Sequence, residues 1–268
     1  MHNLSIGYVV GYVGATNSVD KRGIGRKITM DKIERLLVFG DIHGKWDRFM
    51  MAYQKAAFNP DKDLLIFLGD YLDRGEQPVP VMEWVMEHLG QKHIVFLRGN
   101  HEQMFYTAMK AKDEPDNLLS FLFGSPKALW LNNGGSITLS EIEKTDRKDR
   151  LIDSWLKLIE QLPLYTEVKV NGRIYWFMHA DCEPDVPLAE QKTKTLLWNR
   201  SLAMHPQLHQ GKQIIVLGHT PVQALGYQPN PQWLQDGRLV LMDTGSFMGN
   251  GRISCADLLS GEVYQSSI

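Results

Sequence analysis

The sequence predicts an α/β protein, because short apolar runs typical of buried strands alternate with segments of helical periodicity. Five of these runs end directly on polar side chains that can bind metals, and a sixth, residues 239–242, ends on Asp243. In open α/β sheets, ligands bind just beyond the carboxyl ends of the strands. We therefore expect the side chains that follow these strands to meet at one edge of the sheet.

The predicted elements follow one another in a regular order. Strands are predicted at residues 36–39, 64–68, 93–97, 174–178, 214–217 and 239–242. Apolar residues recurring at helical spacing predict helices over residues 46–57, 81–89, 104–109 and 151–162. Ser260-Gly261 lies between two strand-like stretches and predicts a hairpin, so part of the sheet is expected to be antiparallel. Periodicity alone predicts one mainly parallel sheet.

Residues 1–29 differ from the rest of the chain. They are rich in glycine and show neither helical nor strand periodicity, and the apolar pattern begins only at Ile33. We predict an N-terminal tail over residues 1–29 and a single domain over residues 30–268. Met30 is a candidate for the natural start, which mass spectrometry of the native N-terminus would test.

Composition excludes several classes of protein. A chain of 268 residues fits one large domain, and its net charge of −2 provides no overall attraction for nucleic acid or an anionic membrane. Cys182 and Cys255 form no thiolate cluster, which argues against a disulfide framework or a structural zinc site. The sequence contains no stretch typical of a membrane span or a signal peptide. We therefore expect a cytoplasmic protein.

The polar side chains that follow the predicted strands have carboxylate, amide and imidazole groups. They are Asp41, His43, Asp70, Asn100, His179 and His219. Such a set, without thiolate, suits manganese, iron or zinc. Six ligands suffice for two ions when one carboxylate bridges them, and paired ions roughly 3.5–4 Å apart are used for displacement at phosphorus. Arg74 and Arg98 follow two of the same strands, and guanidinium groups match phosphate oxygens.

Three sequence blocks resemble the signature blocks of the phosphoprotein phosphatase family of metallophosphoesterases. They are Gly40-Asp41-Ile42-His43-Gly44, Gly69-Asp70-Tyr71-Leu72-Asp73-Arg74-Gly75 and Gly99-Asn100-His101-Glu102. The resemblance covers roughly residues 36–265 and is strongest to the bacterial and phage serine/threonine phosphatases, through Asn133-Gly134-Gly135, Leu196-Leu197-Trp198-Asn199-Arg200 and Asp243-Thr244-Gly245. It implies the calcineurin-like fold, a β-sandwich of two mixed sheets flanked by helices.

Residue by residue, the resemblance also implies a mechanism. Two divalent ions are expected, most simply manganese, with iron or zinc as alternatives. The resemblance places Asp41, His43 and Asp70 around one ion, and the ligands of the other ion would be Asp70, Asn100, His179 and His219. A hydroxide bridging the ions would attack phosphorus. The groups expected to bind phosphate oxygens are Arg74, Arg98 and Arg200. His101, polarised by Asp73, would protonate the departing alkoxide.

The implied activity is hydrolysis of phosphoserine and phosphothreonine in proteins, with phosphotyrosine as a further substrate. A phosphorylated protein or peptide is the expected partner of a monomeric chain, without nucleic acid or membrane. One alternative is a dinucleoside tetraphosphate hydrolase, whose branch tends to have aspartate in place of Glu102 and to lack the Tyr71-Leu72-Asp73 form. Another is a catalytically silent module that senses metal or phosphate, against which the complete ligand set argues.

A few further residues lie close to these blocks without belonging to the ligand set. Asp181 and Cys182 follow His179-Ala180, where glycine is commoner in the family; Asp181 is a candidate outer ligand, and Cys182 is expected to be a buried, inert thiol. Asp243 is expected either to orient a ligand histidine or to form a turn. The tryptophans at positions 130, 155, 176 and 198 are expected in the core.

Overall fold

The computed structural model describes residues 15–30, 32–111 and 124–268. Strands in the described residues are β1 Ala15–Val19, β2 Gly25–Met30, β3 Arg35–Phe39, β4 Asp63–Phe67, β5 Ile94–Phe96, β6 Tyr165–Val170, β7 Arg173–Met178, β8 Ile214–Leu217, β9 Gln232–Leu234, β10 Leu239–Leu241, β11 Ser254–Asp257 and β12 Val263–Gln265. The α-helices there are α1 Trp46–Ala56, α2 Pro78–His88, α3 Asn100–Lys110, α4 Pro126–Trp130, α5 Ser136–Glu143, α6 Lys148–Gln161, α7 Thr193–Trp198 and α8 Ser201–Met204. None of these helices is long and apolar enough to cross a bilayer.

The first sheet has five strands in the order β12-β11-β3-β4-β5. Strands β3, β4 and β5 run parallel, whereas β11 pairs antiparallel with both β3 and β12. The turn at Ser260-Gly261 joins β11 to β12, as the sequence predicts. Because the central strands are parallel, the residues that follow them lie at one edge of the sheet.

The second sheet has seven strands in the order β1-β2-β6-β7-β8-β10-β9. Strands β7, β8 and β10 run parallel to one another, and the other pairs include both parallel and antiparallel strands. The single sheet that periodicity alone predicts is therefore wrong, and the two mixed sheets implied by the family resemblance are confirmed. The central strands β3, β4, β5, β8 and β10 are apolar on both faces, so periodicity does not reveal that the second face of each sheet belongs to a different layer.

The two sheets pack face to face around a shared core. Val38 and Ile66 from the five-stranded sheet and Phe177 and Val216 from the seven-stranded sheet belong to one buried cluster. The outer face of the five-stranded sheet packs against α1, α2, α3 and α6, and that of the seven-stranded sheet packs against α7 and α8. Burial on both faces explains the continuous apolar runs in the sequence.

The N-terminal part of the chain belongs to the fold to a larger extent than its sequence predicts. Residues 15–30 form the β1–β2 hairpin, in which β2 extends the seven-stranded sheet by pairing with β6. Ile28 and Met30 are buried, whereas Lys27 and Thr29, which alternate with them along the strand, are exposed. The prediction of an irregular tail is thus wrong for residues 15–29, because two apolar positions are too few for a recognisable period. Residues 1–14 lie outside the described part.

Candidate metal centre

The loops that follow the strands bring the predicted metal ligands together. Two groups of buried side chains each place their ligand atoms within 4.8 Å of one another: His43 with Asp70 and His101, and Asp70 with His179 and His219. Asp70 belongs to both groups. A carboxylate in that position is what a bridge between two ions requires.

The tautomer and charge state of His43 favour metal binding in the first group. The Nδ1 of His43 donates to the carbonyl oxygen of Leu72 at 3.1 Å, which leaves Nε2 as the acceptor. Nε2 lies 3.5 Å from a carboxylate oxygen of Asp70 and 3.9 Å from one of Asp41. Burial and the charges on His101 and Arg74 lower the pKa of His43 well below its usual range. His43 is therefore neutral at pH 7, the form that binds metals.

In the second group, His179 is in contact with two other predicted ligands, Asn100 and Asp70. The Nδ1 of His179 donates to Leu68 O at 2.9 Å, and its Nε2 lies 2.8 Å from Asn100 Oδ1 and 3.4 Å from an oxygen of Asp70. Burial would lower the pKa of His179, but the Asp70 carboxylate outweighs burial and raises that pKa to about 9. His179 therefore carries a proton that a cation would replace.

His219 is held at both its backbone and its ring. Its backbone N–H donates to both carboxylate oxygens of Asp41, at 3.1 and 3.2 Å, and its Nε2 donates to Trp198 O at 3.3 Å. Burial and the charge on His179 lower the pKa of His219 to about 2. The Nδ1 of a neutral imidazole therefore remains as a lone pair for a metal.

The charges around the centre fit a cationic ligand. The carboxyl groups of Asp41, Asp70, Glu102 and Asp243 are all almost fully buried. Burial and the nearby Asp243 raise the pKa of Asp41 well above its usual range, and burial together with the charge on Asp70 raises that of Asp243 to about 6. One oxygen of Asp243 has no hydrogen-bond partner among the described residues. Buried carboxylates with few cationic partners require metal ions or protons, so the residues present fit divalent cations.

Several of the predicted site residues have left-handed backbone conformations that only glycine adopts without strain. The φ angles are 48° at His43, 54° at Asp70, 69° at Asp73, 68° at Arg74 and 65° at His219. Each costs about 1–2 kcal/mol relative to right-handed backbone. Such strain persists only where surrounding contacts enforce it, and it concentrates at functional sites.

Glu102 enforces one of these conformations, a role that the sequence did not reveal. The buried carboxylate of Glu102 accepts hydrogen bonds from the backbone N–H groups of Asp70 and Tyr71 at 2.8 Å and of Gly99 at 2.9 Å. Burial and the charge on Asp70 raise the pKa of Glu102 to about 7. Glu102 thus holds the turn that presents Asp70 to both ligand groups.

The predicted acid and its partner lie beside the ligands. The Nδ1 of His101 lies 2.8 Å from Asp73 Oδ2, and its Nε2 lies 3.9 Å from an oxygen of Asp70. The Asp73 carboxylate also accepts hydrogen bonds from Trp130 and Thr138. Trp130 belongs to the core as expected, but its contact with Asp73 is an additional role. Neither Trp130 nor Thr138 is close to Asp73 in sequence, so no local pattern indicates the contacts.

The three predicted phosphate-binding arginines have different surroundings. The guanidinium of Arg74 donates to His43 Nε2 at 2.9 Å and lies 4.2 Å from the centre of the Phe247 ring, and its backbone N–H donates to Gly134 O at 3.2 Å. Arg200 is exposed, and its charge acts on His219. Arg74 therefore contacts a proposed metal ligand directly, whereas Arg200 acts on another, His219, through its charge.

Arg98 has long-range contacts that the sequence does not predict. Its guanidinium donates to Ile159 O near the end of α6 and to Gln103 Oε1 in α3, and burial lowers its pKa. These hydrogen bonds join the end of β5 to α3 and α6. The role of Arg98 in binding phosphate stays a prediction.

The unusual pair Asp181 and Cys182 has a structural explanation. The carboxylate of Asp181 accepts hydrogen bonds from the backbone N–H groups of Cys182 at 2.9 Å and Ser201 at 2.7 Å. It therefore fixes the start of α8, next to Arg200. Cys182 is buried, and burial raises the pKa of its thiol, in agreement with an inert cysteine.

A separate cleft of about 670 Å³ lies at the opposite ends of β7 and β8. Arg173, Lys212 and Trp233 contribute to its walls, and none of the predicted site residues does. His179 follows the last residue of β7 whereas Arg173 is its first, so the cleft and the ligands lie at opposite edges. The site is therefore identified by ligand geometry rather than by cavity size.

Comparison with known proteins agrees with this geometry. A sequence model of the calcineurin-like phosphoesterase family matches residues 34–242. The chain is 28% identical over 235 residues to a bis(5'-nucleosyl)-tetraphosphatase (asymmetrical) of Anoxybacillus flavithermus, a match that covers 79% of this chain and 86% of that protein. It is 27% identical over 204 residues to serine/threonine-protein phosphatase 1 of Salmonella typhimurium, covering 75% and 85%.

A solved structure shows the same fold. The protein serine/threonine phosphatase from Saccharomyces cerevisiae superposes with a TM-score of 0.57 at 17% identity, covering 87% of this chain and 80% of that one. The matched family model spans β3 to the end of β10 and includes every predicted metal ligand. The chain therefore belongs to the calcineurin-like phosphoesterase family and is a metallophosphoesterase.

Proposed function

We propose that this metallophosphoesterase hydrolyses phosphoserine and phosphothreonine in proteins, with phosphotyrosine as a further substrate. The observation that carries the proposal is Asp70, shared by two groups of buried side chains that can bind metals, one of which also contains His101, the partner of Asp73. Shared ligands support phosphoester chemistry at paired ions, and an imidazole beside them supports protonation of a leaving oxygen.

The chain's own residues have separate roles in this proposal. Asp41, His43 and Asp70 would hold one divalent ion, for which we propose manganese with iron or zinc as alternatives. The ligands proposed for the second ion are Asp70, Asn100, His179 and His219. Bound divalent ions supply Lewis acidity, which lowers the pKa of water and offsets the negative charge of phosphate.

Binding and protonation fall to other side chains. Arg74 and Arg200 bind the phosphate oxygens through charge-assisted hydrogen bonds. His101 donates its Nε2 proton to the departing oxygen, and Asp73 fixes the Nδ1 proton of the same ring. Rate enhancements of up to ~10²¹-fold are known for phosphate monoesters, and a general acid contributes only about 10²–10⁴ of such a factor. The ligand residues therefore contribute more than His101.

The second candidate is a dinucleoside tetraphosphate hydrolase, which the relative from Anoxybacillus flavithermus supports. The two substrate classes differ in their leaving groups. A serine alkoxide leaves poorly without a proton, whereas a nucleotide phosphate is already stable as an anion. A buried His101–Asp73 pair with a fully hydrogen-bonded carboxylate favours the poorer leaving group, and so favours the phosphoprotein. The complete ligand set argues against a catalytically silent module.

A panel of substrates tests the proposal. Manganese-loaded protein is assayed on phosphoserine, phosphothreonine and phosphotyrosine peptides and on diadenosine tetraphosphate under the same conditions. We expect the phosphoserine and phosphothreonine peptides to have the highest kcat/KM. Exclusive cleavage of the nucleotide would establish the second candidate instead, and no cleavage of any substrate would support the silent module.

The role of His101 has its own test. We expect His101→Ala to lower kcat on a phosphoserine peptide by about 10²–10⁴-fold, because the alkoxide loses its proton donor. The loss on an aryl phosphate with an activated leaving group should be much smaller, since that group departs without a proton. Equal losses on both substrates would remove His101 from the acid role.

A further inference from the structure

Residues 130–138, which we call the clamp segment, pack against the loop that follows β4. Their contacts are with the second half of that loop, which carries Asp73. The segment runs from the last residue of α4 through residues 131–135, where the chain is kinked at Gly134 with a φ of 105°, into the first turn of α5. The side chains of Trp130 and Thr138 are both 0% exposed. The proposed chemistry uses neither side chain directly.

Both side chains bind the carboxylate of Asp73. The indole N–H of Trp130 donates to its two oxygens, at 3.0 and 3.1 Å, and the hydroxyl of Thr138 donates to Oδ1 at 2.7 Å. The backbone N–H of Asp73 donates in turn to the Thr138 hydroxyl at 3.0 Å. These bonds fix the carboxylate so that Oδ2 faces Nδ1 of His101 at 2.8 Å.

The other half of the loop has a different support. Glu102 holds the backbone N–H groups of Asp70 and Tyr71, at 2.8 Å each, and does not bind Asp73. One loop thus presents a metal ligand braced by α3 and an acid partner braced by the clamp segment. The two functions can be damaged separately.

We propose that Trp130 and Thr138 are positioning residues for proton transfer to the leaving group, acting through Asp73 on His101. The inference rests on the proposed phosphomonoesterase function, in which His101 is the proton donor. A merely structural role would lower the rate on every substrate alike. Positioning of His101 predicts a loss that depends on how much the leaving group needs the proton.

Thr138→Val removes the hydroxyl while keeping the shape of the side chain. We expect kcat on a phosphoserine peptide to fall by at least about 10-fold, and by no more than the factor of about 10²–10⁴ that a general acid supplies. On the activated aryl phosphate kcat should change by less than about threefold, because that reaction does not use the acid. Metal content, measured by mass spectrometry, should equal that of the wild type.

Thr166→Val is the matched control. Thr166 is likewise 0% exposed, but its hydroxyl has no hydrogen-bond partner among the described residues. The same change in side-chain chemistry should therefore leave both activities unaltered. Thr138→Ser, which restores a hydroxyl, should recover the activity on phosphoserine.

A double-mutant cycle separates positioning from general damage. In the His101→Ala background, we expect Thr138→Val to change kcat on phosphoserine by less than about twofold, because the group it positions is gone. If the two substitutions acted independently, the factors by which each lowers kcat would multiply in the double mutant. A double mutant whose kcat falls by that full product would therefore contradict the inference.

Trp130→Phe tests the same proposal without Thr138, and it decides the matter if Thr138→Val does not fold. Trp155→Phe is its control, since the Trp155 indole also packs on Phe105, with ring centres 5.7 Å apart against 5.4 Å for Trp130, and its N–H has no partner among the described residues. Only Trp130→Phe should show the loss that depends on the leaving group.

The outcomes distinguish this inference from the proposed function. If His101→Ala lowers kcat equally on both substrates, His101 is not the proton donor, and the positioning role of Trp130 and Thr138 is overturned with it. If His101→Ala is selective but Thr138→Val and Trp130→Phe lower both rates alike, only the positioning role is overturned. Selective losses in all three variants support both.

Discussion

Arg74 and Arg98 show that the surroundings of an arginine decide which group its guanidinium contacts. Both follow buried strands and lie beside proposed ligands in sequence. The guanidinium of Arg74 donates to His43, whereas that of Arg98 donates to the carbonyl of Ile159. The same chemical group contacts a proposed metal ligand in one position and a helix end in the other.

The two arginines therefore predict different mutant phenotypes. Arg74→Met should lower kcat/KM on an aryl phosphate by about 10- to 100-fold, because a hydrogen bond to a charged group contributes about 1.5–3 kcal/mol. Arg98→Met should change kcat/KM by less than about threefold and instead lower the free energy of unfolding by about 1–3 kcal/mol, since it leaves buried acceptors unpaired. Steady-state kinetics and urea unfolding measure these effects, and a large kinetic loss in Arg98→Met would support the predicted role of Arg98 at the phosphate.

At the scale of elements, the loop after β4 gathers most of the chemistry. It contains Asp70, Asp73 and Arg74, all with positive φ, and it is supported from α3 and from the clamp segment. A strained loop needs such supports because its conformation is unfavourable alone. The signature block thus contains the side chains to which we assign a function, and other elements keep them in place.

The β1–β2 hairpin gives a prediction about an element that the sequence pattern missed. Ile28→Ala should lower the free energy of unfolding by about 2–5 kcal/mol, because the side chain is buried in the core between the sheets. Thr29→Ala, an exposed position on the same strand, should change it by about 0.5 kcal/mol or less. Denaturant unfolding measures both. Equal, small effects would mean that residues 25–30 do not dock on β6.

At the scale of the whole molecule, the centre joins the two sheets. Asp41, Asp70 and Asn100 follow strands of the five-stranded sheet, and His179 and His219 follow strands of the seven-stranded sheet. Ions bound between them would therefore connect both layers of the sandwich. Burial of so many carboxylates without full compensation by cations costs stability in the metal-free protein.

Metal removal should accordingly destabilise the entire fold. Chelation with EDTA is expected to lower the thermal midpoint, and adding manganese to restore it, since each site at 100 times its Kd adds about 2.7 kcal/mol. Asp70→Asn should abolish turnover and greatly reduce the response to manganese, because both ligand groups lose the shared carboxylate. Calorimetry with and without manganese measures this, and an unchanged midpoint in the wild type would contradict a metal bound only by the folded state.

The candidate site is more predictable from the sequence than the fold is. Strand-to-ligand patterns are local, so they indicate Asp41, His43, Asp70, Asn100, His179 and His219 directly, and the folded chain brings these side chains together. The division into two sheets follows only from the family resemblance, because apolar runs do not say which layer covers each face. The sequence pattern does not predict strands β1 and β2, because they are short and interrupted by polar residues.

The sequence by itself determined which side chains are available, since a strand, its turn and the ligand after it are adjacent in the chain. Only the tertiary structure decided how those side chains are held and directed. Trp130 and Thr138 reach Asp73 across 57 and 65 positions of sequence, and Arg98 reaches Ile159 across 61. Contacts at such separation depend on how the layers pack, which no local periodicity encodes.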